Sequence, residues 1–262
     1  MFSRFTRSTK YPPHPLAPVV DWSKTDVEAD YKGHYVKVID DVFTPEECAE
    51  LIALAESDSE WKQAAVHYGQ GQDQNYVDTN YRNSERILRF DKEAADKLYQ
   101  KLLPYVSDIV ELKPGDQWHS VVDTGNVTPG VWKMDWYSHL MYRCERLLIA
   151  PSLNERLSFL KYTHGQFFRA HCDGQLQLPD GRMARVTVQI YLGDDGVKGG
   201  TTRILGRKKD RYFDVEPKKG RVLLFQQRGV WHTGEDVSEG TKYTLRSDLM
   251  YRYYEDGEEV PL

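Results

Sequence analysis

His171-Cys172-Asp173 sets an imidazole and a carboxylate one residue apart. If "FRAHCD" runs as a strand, successive side chains point to opposite faces, so His171 and Asp173 share a face and Cys172 turns away. Two such groups can grip one ion together, and a third ligand is then required. His232, in "VWHTGED", follows the β-rich run "RVLLFQQ" closely enough to return to the same mouth of a barrel. Two imidazoles and one carboxylate on one face of an ion leave three octahedral positions open. That set suits a non-haem Fe(II) oxygenase better than the closed tetrahedral cage of structural zinc. A zinc hydrolase on the same ligands, or a binding barrel that does no chemistry, is compatible with these three residues alone. Cys172 reads as an inert buried thiol; His14, His34, His67 and His139 have no partner at metal spacing, and His119 and His164 read as surface or core-edge residues.

An iron centre that activates O2 needs a two-electron donor. 2-Oxoglutarate fills that role by chelating through its 1-carboxylate and keto oxygen, which leaves a far carboxylate to be neutralised. Lys242 and Arg246 follow His232 and share a strand face, because their separation is even. Spacing favours Lys242 as the anchor; the two-pronged guanidinium geometry favours Arg246. Ascorbate is an expected reductant for such iron.

These groups need a scaffold. In "FTPEECAELIALAES", over 43–57, Thr44 is a helix N-cap, Pro45 occupies the first turn and Glu47 closes a capping box. "DKEAADKLYQKLLPYV", over 91–106, is a second helix capped by Asp91, with Leu98, Leu102 and Leu103 inward. From about residue 155 the period becomes two. "RLSFLKY", "ARVTVQIYL", "TRIL", "RYFDVE", "RVLLFQQ" and "KYTLRSDLMYRYY" are short β-rich runs separated by Gly, Pro and Asp turns. The expected class is mainly β with flanking helices, the strands forming a sandwich or barrel with the helices on one side. Residues 66–90 and 113–137 have weak periodicity and read as long loops that cover a substrate; Arg82, Asn83 and Arg86 in "NYRNSERILRF" are candidates to meet a polar or carboxylated one.

The 262 residues carry a formal net charge of −5, and the first twenty hold Arg4, Arg7 and Lys10 with no acid, so the acidic excess lies in the body. Such a body presents no basic face for nucleic acid. No apolar run reaches the roughly 18 residues of a membrane helix. Three cysteines do not make a disulfide framework and suit a reducing compartment, so a cytoplasmic location is expected, with a weak organelle signal in the N-terminus as the alternative. Residues 1–34 read as an extended leader and 35–262 as one domain.

In combination, these stretches resemble the Fe(II)/2-oxoglutarate dioxygenases of the prolyl 4-hydroxylase-like branch. "NERLSFLKYTHGQFFRAHCDG" resembles the family's ligand-bearing segment, and "VTVQIYLGDDGVKGGTTRIL" its Tyr-Leu strand and Gly-Gly-x-Thr turn. "VEPKKGRVLLF" and "HTGEDVSEGTKY" resemble its closing motifs, in order, within roughly residues 35–253. The resemblance implies a double-stranded β-helix, or jelly-roll, with the N-terminal helices outside. It implies iron on His171, Asp173 and His232, and the far carboxylate of 2-oxoglutarate on Lys242, with Tyr191 in support and Tyr162 nearby. The implied reaction converts 2-oxoglutarate to succinate and CO2 while oxidising an unactivated C–H bond. A small molecule or amino acid is the expected substrate, with a prolyl residue in a protein as the alternative. Many relatives have no second basic residue at the position of Arg246.

Overall fold

The computed structural model describes residues 18–67, 75–122, 131–134, 153–193, 196–255 and 258–259. Two antiparallel sheets face each other. In the larger, the central run of strands is Val36–Ile39, Val222–Gln226, Met183–Tyr191, Lys242–Glu255, Arg156–Tyr162, Glu85–Phe90 and Lys62–Gln63. The smaller runs Tyr212–Val215, Thr202–Leu205, His232–Gly234, Phe167–His171 and Arg82–Asn83. From Arg156 on, the chain crosses between the sheets repeatedly, with Thr202–Leu205 and Tyr212–Val215 paired within the smaller one, which is the jelly-roll arrangement.

The period-two pattern assigns opposite duties to the faces of the larger sheet. Leu157, Phe159, Val186, Val188, Ile190, Leu245 and Leu249 are buried in one cluster with Leu51, Leu98, Tyr99 and Leu102 of the two helices. The alternate residues Ser158, Leu160, Tyr162, Gln189, Lys242, Thr244, Arg246 and Asp248 line an interior cavity. Inter-strand register fixes this division, pairing Lys242 with Tyr162, Arg246 with Ser158 and Gln189, and Asp248 with Thr187.

The first helix spans Pro45–Glu56 with the expected Thr44/Glu47 capping box. The second spans Lys92–Val106, where the Asp91 carboxylate accepts the Ala94 N–H. Both pack outside the sheet because the core face offers them apolar residues and the cavity face does not. Gly220, in the turn before Val222, has φ +79° and its carbonyl accepts from the Val42 and Phe43 N–H groups; a Cβ there would lie 2.1 Å from the Phe43 carbonyl.

Two stretches depart from their sequence reading. Within 18–34 the chain makes two short helical turns, and Trp22, Val27 and Tyr31 are buried against Ile204, Val215 and Leu223. The Tyr31 hydroxyl also donates to the Leu205 carbonyl at 2.6 Å. This part of the expected leader therefore belongs to the folded body, and the remainder, 1–17, lies outside the described residues. The 66–90 region is not one long loop. It supplies Arg82–Asn83 to the small sheet and Glu85–Phe90 to the large one, with local pairing paying for backbone that polarity suggested was irregular. Within 113–137, His119–Val121 is a helical turn and Val131–Met134 a strand; residues 123–130 and 135–137 lie outside the described set.

Candidate active site

The ligand strand Phe167–His171 pairs with His232–Gly234, and the register puts His171 opposite His232. Their ring centroids are 4.2 Å apart. Asp173 lies just beyond the strand end, with its Oδ1 3.8 Å from His171 Nε2. One donor atom from each of the three lies within 4.8 Å of the others, a spacing that one ion can bridge.

The surroundings decide which atoms are offered. His171 Nδ1 contacts the Arg169 carbonyl at 2.7 Å and His232 Nδ1 the Val230 carbonyl at 3.1 Å, which fixes Nδ1–H and presents both Nε2 lone pairs. Asp173 Oδ2 accepts from the Thr187 hydroxyl at 2.6 Å and from Arg246 Nε at 3.3 Å, which leaves Oδ1 toward the imidazoles. Burial, reinforced by the neighbouring His232, pushes His171 down to about 3, and burial also lowers His232. Burial alone would raise Asp173; Arg246 and the two imidazoles outweigh it and hold the carboxyl well below the usual range. Two neutral imidazoles and an ionised carboxylate are the protonation states a divalent ion requires, so the donor set fits Fe(II).

A second polar cluster sits deeper in the cavity. Lys242 is buried, and its Nζ donates to the Gly200 carbonyl at 2.7 Å. It has no carboxylate partner among the described residues, and burial lowers it to about 8. The Tyr162 and Tyr191 rings lie 5.2 and 5.8 Å from Nζ. The Tyr191 hydroxyl donates to Thr202 Oγ1 at 2.7 Å, and Gln189 Nε2 donates to the same oxygen at 2.9 Å. A buried ammonium without a counter-charge fits the far carboxylate of an acid such as 2-oxoglutarate.

Arg246 sits elsewhere. Its Nη2 is 3.1 Å from Asp248 Oδ1, so the guanidinium bridges Asp248 and the ligand Asp173 instead of standing free beside Lys242. Cys172 is half-buried rather than in the core, and burial pushes its thiol up to about 11, an unreactive state. Arg82 and Arg86 line the cavity, whereas Asn83 does not. Sequence reasoning passed over Thr187, Gln189, Thr202 and Asp248. Their available signal was polarity at alternate positions of otherwise apolar strands.

A sequence-family profile described as "2OG-FeII_Oxy_3: 2OG-Fe(II) oxygenase superfamily" matches residues 157–247, a span that holds all three ligands and Lys242. No curated protein sequence matches the chain. Among solved structures, the viral collagen prolyl hydroxylase of Paramecium Bursaria Chlorella virus-1, in its 2OG complex, is 18% identical with a TM-score of 0.50. That alignment covers 84% of this chain and 98% of the other. A Pseudomonas putida prolyl-4-hydroxylase is 16% identical with a TM-score of 0.52, covering 85% of this chain and 96% of the other. At these identities the likeness concerns the fold. The facial His-Asp-His set and the profile match carry the chemistry, which is Fe(II)- and 2-oxoglutarate-dependent oxidation of a C–H bond with release of succinate and CO2. Residues 157–247, which hold the His-Asp-His set, match the 2OG-Fe(II) oxygenase superfamily.

Proposed function

We propose that the protein hydroxylates a prolyl ring presented on a peptide, with 2-oxoglutarate held by Lys242 and the Tyr162, Tyr191 and Thr202 hydroxyls. The observation that carries the peptide reading is the cavity itself. Its volume is about 1530 Å³, above the roughly 300–1,000 Å³ of ordinary small-molecule sites, so room remains after a five-carbon cosubstrate is seated. Its rim includes Leu176, 37% exposed, and Trp231, 53% exposed and adjacent to His232. Apolar surface at that place suits a ring and the chain on either side of it. The two solved structures described above are themselves named as prolyl hydroxylases, which supports the same reading. It favours the prolyl alternative over the small-molecule substrate expected from the sequence.

Iron, when bound, would supply the activation of O2, which is the oxidant, with 2-oxoglutarate as the two-electron donor. The chain does the rest. His171, Asp173 and His232 would hold the metal, Thr187 and Arg246 fix which Asp173 oxygen is offered, and Lys242 would neutralise the cosubstrate's far end. The apolar rim orients the ring and keeps water from the reacting carbon.

The test incubates the full chain with Fe(II), 2-oxoglutarate and ascorbate against proline-containing peptides and free L-proline. Succinate and hydroxyproline are quantified by mass spectrometry. Peptide hydroxylation that stops in His171→Ala, Asp173→Ala and His232→Ala supports the reading. Turnover of free proline alone defeats the peptide assignment, and absence of 2-oxoglutarate-dependent succinate with every substrate defeats the cosubstrate assignment.

A further inference from the structure

The cavity is strongly cationic inside a chain whose net charge is −5. Five cations line it, Arg82, Arg86, Arg156, Lys242 and Arg246, against two acids, Asp173 and Asp248. Both acids are already engaged by Arg246. Arg86 has no acidic partner among the described residues, and Arg156 forms no salt bridge among them, feeling Asp248 only through space; Arg82, 8% exposed, bonds the Ser84 hydroxyl at 3.3 Å and the Tyr162 side chain, with Asp173 attracting it from a distance.

Geometry brings these three together. Strands Glu85–Phe90 and Arg156–Tyr162 pair Arg86 with Leu160 and Phe90 with Arg156, so both arginines stand on the face that carries Ser158 and Tyr162. Arg82 comes from the opposite sheet. Its guanidinium carbon lies 4.5 Å from the Phe168 ring centroid, and Phe168 stacks on the ligand His171 at 3.7 Å. The cluster therefore begins one ring layer, that of Phe168, from the ligand His171. Burial, then Arg82, Arg156 and Arg246, lower Arg86 to about 10, which reports like charges crowded together with no anion among them.

Loading the centre does not relieve this crowding. A divalent iron and Lys242 balance Asp173 and the two carboxylates of 2-oxoglutarate, while Arg246 and Asp248 balance each other. Three guanidiniums are left over. Holding partly buried cations without a counter-charge is costly, and guanidinium forks match carboxylate geometry.

We propose that Arg82, Arg86 and Arg156 form a subsite for a carboxylate borne by the substrate, placed beside the carbon to be oxidised. This rests on the oxygenase reading of the site and narrows its substrate to an acid. The carboxylate has two sources of one chemistry, an acidic residue next to the target in a peptide or the substrate's own carboxyl as a free acid.

The test measures binding, not turnover. Full-length protein is loaded with Mn(II) and 2-oxoglutarate without oxygen and titrated calorimetrically with two probe pairs. One pair is N-acetyl-Glu-Pro-Gly-amide against its Gln counterpart; the other is L-proline against prolinamide. At least tenfold tighter binding of the acid is expected in one pair, and which pair shows it identifies the source. Arg86→Gln/Arg156→Gln should erase that preference while Mn(II) stoichiometry and 2-oxoglutarate affinity stay within threefold of wild type. Arg86→Lys/Arg156→Lys, which keeps the charge, should retain part of it. Equal binding within both pairs, a preference that survives the Gln double variant, or loss of 2-oxoglutarate instead of the acid probe would each overturn the subsite. Failure of wild-type protein to bind Mn(II) or 2-oxoglutarate would count against the oxygenase reading instead, since the acid-versus-neutral comparison stands without it.

Discussion

Arg246 and Asp173 are joined by a contact of 3.3 Å from guanidinium Nε to carboxylate Oδ2, the oxygen turned away from His171. The other end of the same guanidinium lies 3.1 Å from Asp248. One cation thus links a metal ligand to a carboxylate that Gln227 and Asn154 also hold, at 2.8 and 3.2 Å. Its influence on the iron is exerted through the direction of Asp173.

That placement separates two basic residues that sequence spacing left as rivals. Arg246→Ala leaves two enclosed carboxylates without their cation, and breaking such a pair costs about 3–5 kcal/mol. The expected outcome is a large drop in denaturation midpoint and metal occupancy, with the KM for 2-oxoglutarate moving less than about tenfold. Lys242→Met should do the reverse, keeping the fold and metal while that KM rises by about two orders of magnitude. Chemical denaturation, metal analysis and 2-oxoglutarate titration on both variants check this; a steep KM rise in Arg246→Ala alone would exchange the roles.

Lys242 also predicts a pH dependence. Burial lowers its free-state value to about 8, and only the protonated form attracts a dianion. KM for 2-oxoglutarate should be flat below pH 8 and rise by up to about tenfold per unit above it, with proton uptake on binding in the same range. Lys242→Arg, charged throughout, should flatten the profile even where affinity is lower.

The histidines titrate in the opposite sense. With His171 near 3 and His232 also lowered, the folded metal-free protein keeps neutral imidazoles where an unfolded chain, near 6.5, takes up protons. The unfolded state then binds more protons, so stability is present above pH 6.5 and declines as pH falls below it. Asp173, held low in the fold, adds a loss in the same direction at more acidic pH. Urea midpoints of metal-free protein at pH 7.5, 6.5 and 5.5 should fall in that order, while Mn(II) binding at pH 6.5 should release almost no proton. Release near one proton would show that the imidazoles titrate normally.

Gly200 sits at φ +66°, and a Cβ there would approach Val237 Cγ2 at 2.9 Å and Lys242 Cδ at 3.3 Å. Its carbonyl also accepts from Lys242 Nζ. Gly200→Ala is expected to raise the KM for 2-oxoglutarate about tenfold with metal content unchanged, because it disturbs the ammonium without touching the ligands. An unchanged KM would show that the Lys242 position tolerates the added methyl.

Much of this architecture was legible because local rules and tertiary demands coincide. The Thr44-to-Glu47 capping box and the alternation in "RLSFLKY" and "KYTLRSDLMYRYY" mark elements that the fold uses as written. His171, Asp173 and His232 were legible because metal chemistry restricts residue type and spacing. Arg156 was missed because one cation in an alternating strand looks like a solvated charge, and only its pairing opposite Phe90 places it in the cavity. The Trp22–Tyr31 region was misread for the complementary reason. Its burial comes from contacts with residues nearly two hundred positions away, such as Ile204 and Leu223, and local pattern carries no trace of them.

The two-faced larger sheet constrains how this gene can change. Along residues 242–249, the cavity-lining Lys242, Thr244, Arg246 and Asp248 alternate with residues of the other face, where Tyr243, Leu245 and Leu249 join the cluster of the helices. Point substitutions on the cavity side at Ser158, Leu160 or Thr244 can therefore retune substrate choice while the apolar set that holds the helices is left alone. Deleting or inserting a single codon in that strand is different, because it exchanges the faces beyond that point and sends Leu245 toward the iron and Arg246 into the helix interface. Specificity in this protein can drift by substitution, but length polymorphism must be confined to the turns.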